Sequence, residues 1–322
     1  SSLFEGVPTF PNPGRFWDIV DKFGVNQFYT APTAIRALAK ESLAYVEKYE
    51  LSSLKVIGSV GEPINEEAWQ WYHKNIGKGN CPVVDTWWQT ETGGILISPI
   101  PHVSPQIPTY ATTPLPGIQP ILMDDSGAEI KESEGEGRLC IKYPWPSIAR
   151  TIWGDHKRYK ETYFSAYPGY YFTGDGARRN KDGMYRITGR VDDVIIVSGH
   201  NLGTAPIEDA INEHDEIAES AIVGFPHDIK GNALYGFVTT KTEAKDEEQL
   251  KKDINALISA KIGPIAKLDK IQFTSGLPKT RSGKIMRRIL RKIAEGNLSD
   301  FGDISTLLNP EVVEQIKDGR EK

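Results

Sequence analysis

Short apolar runs alternate with helix-period stretches through the first third of the chain. Phe16, Trp17, Ile19 and Val20 recur at helical spacing, Val25 to Tyr29 reads as a short strand, and Pro32 opens a helix through Ala34, Ile35, Leu38 and Ala39. The alternation continues with a strand from Leu54 to Val60, a helix from Glu66 to Lys74 and a buried strand from Pro82 to Trp87. A βαβ rhythm implies a parallel, doubly wound sheet, which gathers ligands at the carboxyl ends of its strands. Gly61-Glu62-Pro63 and the run from Thr86 to Gly94 fall at such ends.

From Pro99 to Pro120 the chain is rich in Pro and Thr and loses its period, which predicts a long connection. Beyond it the pattern turns to β. Ile118 to Met123, the turn Asp124-Asp125-Ser126-Gly127 and Gly137 to Tyr143 read as hairpins, followed by Tyr170 to Asp175 and Met184 to Arg190 around an Asn180-Lys181-Asp182-Gly183 turn. Val191-Asp192-Asp193 is the candidate hinge. After it come a buried strand at Val194 to Val197, a helix capped by Thr204 with Pro206 in its first turn, and strands at Ser220 to Val223 and Ala233 to Lys241. A charged helix from about Asp246 to Ala260 and a strand at Lys270 to Phe273 complete the series, and residues beyond Glu295 read as weakly packed. The fold class expected is α/β with α+β. Residues 1–191 hold part of a doubly wound sheet to about 110 and then a β-rich subdomain, and 192–322 form a small α+β domain.

Composition narrows the functions. The 322 residues are 39% hydrophobic and 25% charged, as in ordinary globular proteins. A net charge of −5 argues against general nucleic-acid affinity, although seven Lys or Arg lie between Lys279 and Lys292. Cys81 and Cys140 are too far apart for a disulfide framework, and the six histidines show no H-x-x-x-H spacing, so neither zinc nor an oxidising compartment is indicated. No run approaches transmembrane length and Ser1 to Pro8 is unlike a signal peptide, which predicts a cytoplasmic protein without a membrane partner.

One loop stands out chemically. Gly276-Leu277-Pro278-Lys279-Thr280-Arg281-Ser282-Gly283-Lys284 leads into an apolar-basic helix, with Pro278 fixing φ and Gly283 permitting tight backbone. Lys284 is thus a positioned ammonium, suited to an anion. The loop is not a phosphate-binding P-loop, because six residues separate Gly276 from Gly283 and Ile285 follows the lysine. Taken singly, Gly61-Glu62-Pro63 is a turn, Trp87-Trp88 is core packing and Gly174-Asp175 is a turn or cap.

Together these clusters resemble the acyl-adenylate-forming synthetases, and within that superfamily the AMP-forming acetyl-CoA synthetase family. The residues that carry the resemblance are Tyr29 to Arg36, Gly58 to Asn65, Asp85-Thr86-Trp87-Trp88-Gln89-Thr90-Glu91-Thr92-Gly93, Tyr171 to Asp175, Thr188 to Asp193 and Leu277 to Lys284. The similarity runs essentially from end to end, and the Trp-Trp-Gln-Thr-Glu-Thr-Gly segment is specific to short-chain acyl-CoA synthetases.

The resemblance implies two half-reactions. Acetate and ATP give acetyl-adenylate and pyrophosphate, and coenzyme A then gives acetyl-CoA and AMP. It places adenine on the backbone around Gly61, Glu62 and Pro63 and on the Asp85-Thr86 region, counts Trp87 and Gln89 among the nucleotide-binding residues, and puts Thr90 at the α-phosphate and Glu91 on magnesium (Mg2+). Asp175 and Arg190 would hold the ribose, Val60 and Trp88 the methyl group of acetate, and Lys284 the charge that builds up during adenylation. The family swings its mobile C-terminal domain about the Asp192 region, which would exchange Lys284 for a Gly199-His200 loop lining the CoA thiol path. A lysine acetyltransferase and deacetylase acting on Lys284 would switch that charge.

The chain departs from the family at Asn201, where Arg is common, and at Pro206, where Glu is usual. Nothing in residues 1–28 resembles the superfamily's Ser/Thr/Gly-rich phosphate loop, so the sequence reads as the C-terminal portion of a longer enzyme, weak in adenylation by itself. Propionate or another small acid is the alternative substrate, a noncatalytic AMP-binding module the alternative role, and RNA binding through residues 279–292 the remotest.

Overall fold

Among the described residues, apolar runs flanked by Gly, Pro and amphipathic helices fold into three separate sheets, each burying at least one face. The structure is a computed structural model that describes the 322-residue chain except residues 1–3, 5, 199, 243–245, 282, 300, 302, 303, 306 and 322, and residue 201 beyond its backbone. It packs as two units, Ser1–Ile187 and Thr188–Lys322. The break precedes the expected junction at 191/192, so Arg190 and Asp192 both belong to the second unit. Arg291 Nη2 donates to the Asp192 carbonyl at 2.9 Å and to Asp193 Oδ1 at 2.8 Å, which ties the 191–193 turn to that unit.

In the first unit, helix α1 (Arg15–Phe23) precedes strand β1 (Gln27–Thr30), and helices α2 (Pro32–Ala39) and α3 (Ala44–Glu47) lead to β2 (Val56–Ser59). Helix α4 (Glu66–Trp71) runs on as a π-helical turn over Tyr72–Ile76 before β3 (Val83–Asp85). The three strands are parallel in the order β1-β2-β3, in a register that aligns Thr30 with Ser59 and Ser59 with Asp85. Phe16, Trp17, Val20, Ile35, Ile57, Ile64 and Tyr72 bury the sheet between helices. The parallel alternation read from the sequence is present, and its strand ends carry the loops at 60–63 and 86–94.

A four-stranded antiparallel sheet follows, made of β4 (Pro120–Met123), β5 (Gly135–Ile141), β6 (Tyr171–Arg179) and β7 (Tyr185–Arg190) in that order. Helix α5 (His156–Phe164) is capped by the Asp155 carboxylate, which accepts from the Arg158 N–H at 2.9 Å. It sets Tyr159 and Tyr163 into the core with Trp145, Leu139 and Tyr171.

The second unit contains β8 (Ile195–Val197), β9 (His200–Leu202), α6 (Thr204–Asn212), β10 (Ile217–His227), β11 (Gly231–Thr240), α7 (Glu247–Lys261), β12 (Lys270–Phe273), α8 (Arg287–Glu295) and α9 (Glu311–Asp318). Strand β11 is the spine, antiparallel to β10 along its length and parallel to β12. Both faces of this hairpin are covered, which explains its unbroken apolar runs. Ile222, Leu234 and Val238 pack with Ile207, Ile211, Leu250, Ile254 and Ile258 of α6 and α7, while Ala221, Val223, Tyr235 and Phe237 pack with Ile289, Leu290 and Ile293 of α8 and Val312, Val313 and Ile316 of α9.

Three expectations change here. The tail beyond Glu295 is not weakly packed, because α9 inserts Val312, Val313 and Ile316 into the second face. Thr204 is the first helical residue and is buried, with Gly203 in the N-cap position and no side-chain cap. The strand at Ile195–Val197 is buried only at its ends, since its two-residue period turns Ile196 outward, 53% exposed. Among the described residues, no helix is long and apolar enough to cross a membrane.

Candidate active site

The carboxyl ends of β2 and β3 place two expected binding segments side by side. Gly61 has φ +105°, a region favoured by glycine, and turns the chain just beyond β2. The Glu62 side chain is drawn away from this turn by Thr33 Oγ1, which donates to it at 2.7 Å, and by the Arg36 guanidinium. The Gly61-Glu62-Pro63 loop is therefore clamped to α2 through its carboxylate.

Asp85 ends β3 and is buried, which pushes its carboxyl up to about 8, with Ser59 opposing the shift. It is therefore largely protonated at neutral pH. The next residue, Thr86, donates its hydroxyl to the Ser59 carbonyl at 3.0 Å, so the Tyr29 hydroxyl, 2.6 Å away, is the donor to Thr86 Oγ1.

Beyond β3 the chain turns through a 3-10 helix at Thr90–Thr92 and closes on Gly93, φ +67°. A Cβ at Gly93 would also run into the backbone carbonyl of Ser147, so glycine is required there on two counts. The turn is stapled from outside, as Trp145 Nε1 and Ser147 Oγ donate to the Thr92 carbonyl at 2.9 and 2.7 Å and the Ala149 N–H donates to the Glu91 carbonyl at 2.8 Å. Thr90 and Trp88 are exposed, and Val60 is half-buried.

Behind this turn runs a polar network that sets the orientation of Asp175. Gln89 Nε2 donates to Asp175 Oδ2 at 2.9 Å and to the Thr173 carbonyl at 2.7 Å, and Trp87 Nε1 donates to the same Oδ2 at 3.2 Å. The Tyr171 hydroxyl donates to Gln89 Oε1 at 3.0 Å, which fixes which end of the amide faces Asp175. Burial, reinforced by the charge of Glu91, holds the Tyr171 phenol well above its usual range, so it remains a donor. Its ring stacks on Tyr163 at 5.2 Å and 8°, and the Tyr163 hydroxyl donates to Glu91 Oε1. One continuous set of contacts thus joins the carboxylates of Glu91 and Asp175. Tyr163 carries no sequence signal for this role, since it lies 72 residues from Glu91.

In the second unit, Lys284 sits on a two-stranded loop closed by an antiparallel bridge between Lys279 and Ile285. The Thr280 N–H donates to the Lys284 carbonyl at 2.9 Å, Thr280 Oγ1 accepts from the Lys284 N–H at 3.1 Å, and Gly283 turns the chain at φ +85°. The Lys284 side chain is exposed, and no partner for its ammonium occurs among the described residues. Neighbouring basic residues are differently placed: Lys279 pairs with Glu219, Arg287 with Glu208 and Arg291 with Asp193.

Arg190 Nε donates to Asp192 Oδ1 at 3.1 Å, with both side chains largely exposed. His200 is exposed on β9, and Gly199 lies outside the described residues. Asp175 and Glu91 belong to the first unit, and Arg190, Asp192, His200 and Lys284 to the second.

Comparison with known proteins decides the family. The model of the AMP-binding enzymes matches residues 2–153, and that of the AMP-binding enzyme C-terminal domain matches residues 206–284. The chain belongs to the AMP-binding enzymes. Within them it is 57% identical to an acetyl-coenzyme A synthetase of Leptospira biflexa over 100% of the chain, and 59% identical to one of Rhodobacter capsulatus over 99%. An acetyl-coenzyme A synthetase of Caulobacter vibrioides is 57% identical over 99%. The chain spans about half the length of these curated relatives, 49% of each.

Solved structures agree on the fold. An anthranilate CoA ligase in complex with anthranoyl-AMP superposes with a TM-score of 0.78 at 25% identity, over 91% of this chain and 54% of that one. An ATP-bound RpMatB-BxBclM chimera superposes with a TM-score of 0.74 at 21% identity, over 87% of this chain and 53% of that one. Over about half the length of each, the chain therefore shares the fold of these two proteins.

Proposed function

We propose that this AMP-binding enzyme carries the acetate-activating and thioester-forming centre of an AMP-forming acetate–CoA ligase. The observation that supports it most is that 99–100% of this chain aligns at 57–59% identity with about half the length of curated acetyl-coenzyme A synthetases. The contact chain from Glu91 to Asp175 gives that likeness a chemical basis.

In this reading a carboxylate oxygen of acetate attacks the α-phosphorus of ATP, the bond to the β-phosphate oxygen breaks, and pyrophosphate leaves. Negative charge crowds the forming bond, and the Lys284 ammonium offsets it in the transition state. The CoA sulfur then attacks the acetyl carbonyl, the C–O bond to AMP breaks, and the thiol proton passes to solvent. The peptide groups of Gly61, Glu62 and Pro63, with the Asp85-Thr86 region, receive adenine, and Trp87 and Gln89 serve the nucleotide through Asp175. Asp175, held by Gln89 and Trp87, accepts from the ribose hydroxyls together with Arg190, and Thr90 meets the α-phosphate.

Mg2+ fits Glu91, because this ion takes one or two carboxylates and completes its shell with phosphate oxygens and water. Among the described residues, no group of three or more His, Cys, Asp or Glu could hold a metal by itself. Tyr163 orients the Glu91 carboxylate toward that role. Bound there, the ion neutralises charge on the phosphates.

Val60 and Trp88 enclose the methyl group of acetate, and Trp88 sets the upper size limit. Thioester formation requires the second unit to turn about Asp192, withdrawing Lys284 and bringing Gly199 and His200 to the thiol path. The exposure of Lys284 also suits a lysine acetyltransferase and deacetylase, since acetylation would remove the charge used in adenylation. Two buried free cysteines suit a reducing cytoplasm.

The test is acetate-dependent exchange of label between pyrophosphate and ATP, in a polypeptide of the relatives' full length that ends in this chain. Exchange that requires acetate and falls with propionate supports the reading. Tight AMP binding without exchange contradicts it and favours a noncatalytic module.

A further inference from the structure

We infer that Asn309 is a positioning residue for Lys284, acting through the backbone of the loop that carries it. The inference rests on the reading of Lys284 as the adenylation lysine. Asn309 lies beyond the segment matched by the C-terminal family model, which ends at residue 284.

The Asn309 amide spans both sides of Pro278. Its Oδ1 accepts from the Lys279 N–H at 3.1 Å, and its Nδ2 donates to the Leu277 carbonyl at 2.9 Å. Beside it the Leu308 N–H donates to the Lys279 carbonyl at 2.8 Å, and Thr280 forms an antiparallel bridge with Leu307. Residues 307–309 therefore add a third strand to the loop, on the arm opposite Lys284. Within the loop, the Met286 N–H donates to the Pro278 carbonyl at 2.8 Å, which links the two arms.

Two further contacts lock that arm. The Lys279 ammonium donates to both carboxylate oxygens of Glu219, at 2.8 and 2.7 Å, where neither side chain is more than 18% exposed. Leu277, Ile285 and Leu307 are buried in one apolar cluster with Ile289 and Val313. The Lys284 ammonium has no partner among the described residues, so the protein fixes it only through the backbone position from which its flexible stem starts, and these anchors hold that backbone.

Only an amide satisfies both groups at Asn309. Aspartate keeps the acceptor for Lys279 but sets a negative oxygen against the Leu277 carbonyl, and alanine leaves both backbone groups unpaired. A small displacement of a reacting group lowers a rate by up to about a hundredfold.

The experiment compares Asn309→Ala, Asn309→Asp, Glu219→Gln and Lys284→Ala in a full-length polypeptide ending in this chain. Three quantities are read: acetate-dependent pyrophosphate exchange, thioester formation from preformed acetyl-adenylate, and the melting temperature. Loss of the anchor should slow exchange about tenfold or more through kcat, with KM for ATP and acetate near wild type, while thioester formation stays within about twofold. Glu219→Gln reaches the same arm without touching Asn309 and carries the same expectation should an Asn309 variant fail to fold. Exchange at wild-type rate in folded variants, with Lys284→Ala inactive, overturns the inference. Equal loss in both half-reactions overturns it too, as the mark of a purely structural role. If Lys284→Ala itself exchanges normally, the functional reading of Lys284 has failed, a result separable from the first two.

Discussion

Gln89 Nε2 lies 2.9 Å from Asp175 Oδ2, and the amide is held in that orientation by the Tyr171 hydroxyl on its other end. The pair joins the loop after β3 to the middle of β6, so under the proposed function the ribose site at Asp175 depends on an amide that does not itself need to touch the ribose. Gln89→Glu would set two carboxylates against each other and raise KM for ATP by about tenfold or more, equivalent to about 1.4 kcal/mol. Tyr171→Phe removes a single neutral hydrogen bond, so its effect should be smaller, about fivefold. Steady-state kinetics on the full-length protein measure both, and an unchanged KM in Gln89→Glu would remove Asp175 from the ribose site.

Asp85 gives a pH signature of stability. Its carboxyl is raised from 3.8 to about 8 by burial, so between those values the unfolded chain releases a proton that the folded chain keeps. Stability from this group is fully present below about pH 4 and is lost as pH rises toward 8, with a slope of up to about 1.4 kcal/mol per pH unit. Asp85→Asn should therefore gain on wild type steadily from pH 5 to pH 8 in denaturant titrations. A difference that does not change with pH would mean that Asp85 is ionised in the folded protein.

Trp88 is 41% exposed at the strand-end loop and so does not fill the core, and under the proposed function it limits the acetate pocket. Trp88→Gly should raise kcat/KM for four- and five-carbon acids by about tenfold or more while lowering it for acetate, in line with about 1–3 kcal/mol per methylene. Competition between acetate and longer acids in pyrophosphate exchange reads this directly. An unchanged chain-length preference would assign the size limit to another residue.

Ile316 on α9 is 1% exposed in the cluster shared with α8 and the β10–β11 hairpin. Ile316→Ala should destabilise the second unit by about 2–4 kcal/mol, measured by chemical denaturation. A loss below about 0.5 kcal/mol would mean that α9 does not contribute to that core.

Much of this architecture is legible in local pattern. Strand β12 lies at Lys270–Phe273 as its residues predict, and the βα alternation yields the parallel sheet with its register of strand ends. Helix α9 is hard to read from sequence because only Val312, Val313 and Ile316 mark its buried face among charged neighbours, after a sequence rich in small and polar residues. The cap at Gly203 was hidden because Thr204 is drawn inward by packing, which overrides its hydroxyl's preference for the cap.

The proposed site residues divide in the same way. Motif positions such as Gln89, Glu91, Asp175 and Lys284 announce themselves by residue type and order. The residues that hold them do not, because Tyr163 is 72 positions from Glu91 and Asn309 is 30 from Lys279. Tertiary contact alone brings them together.

The most direct test of the account is Lys284→Ala in a full-length protein ending in this chain, assayed in the two half-reactions separately. The account predicts that acetate-dependent exchange between ATP and pyrophosphate falls by about a thousandfold, as expected for the loss of a charge that stabilises the transition state, while CoA transfer from preformed acetyl-adenylate stays near wild type. Equal loss in both half-reactions, or normal exchange, would contradict it.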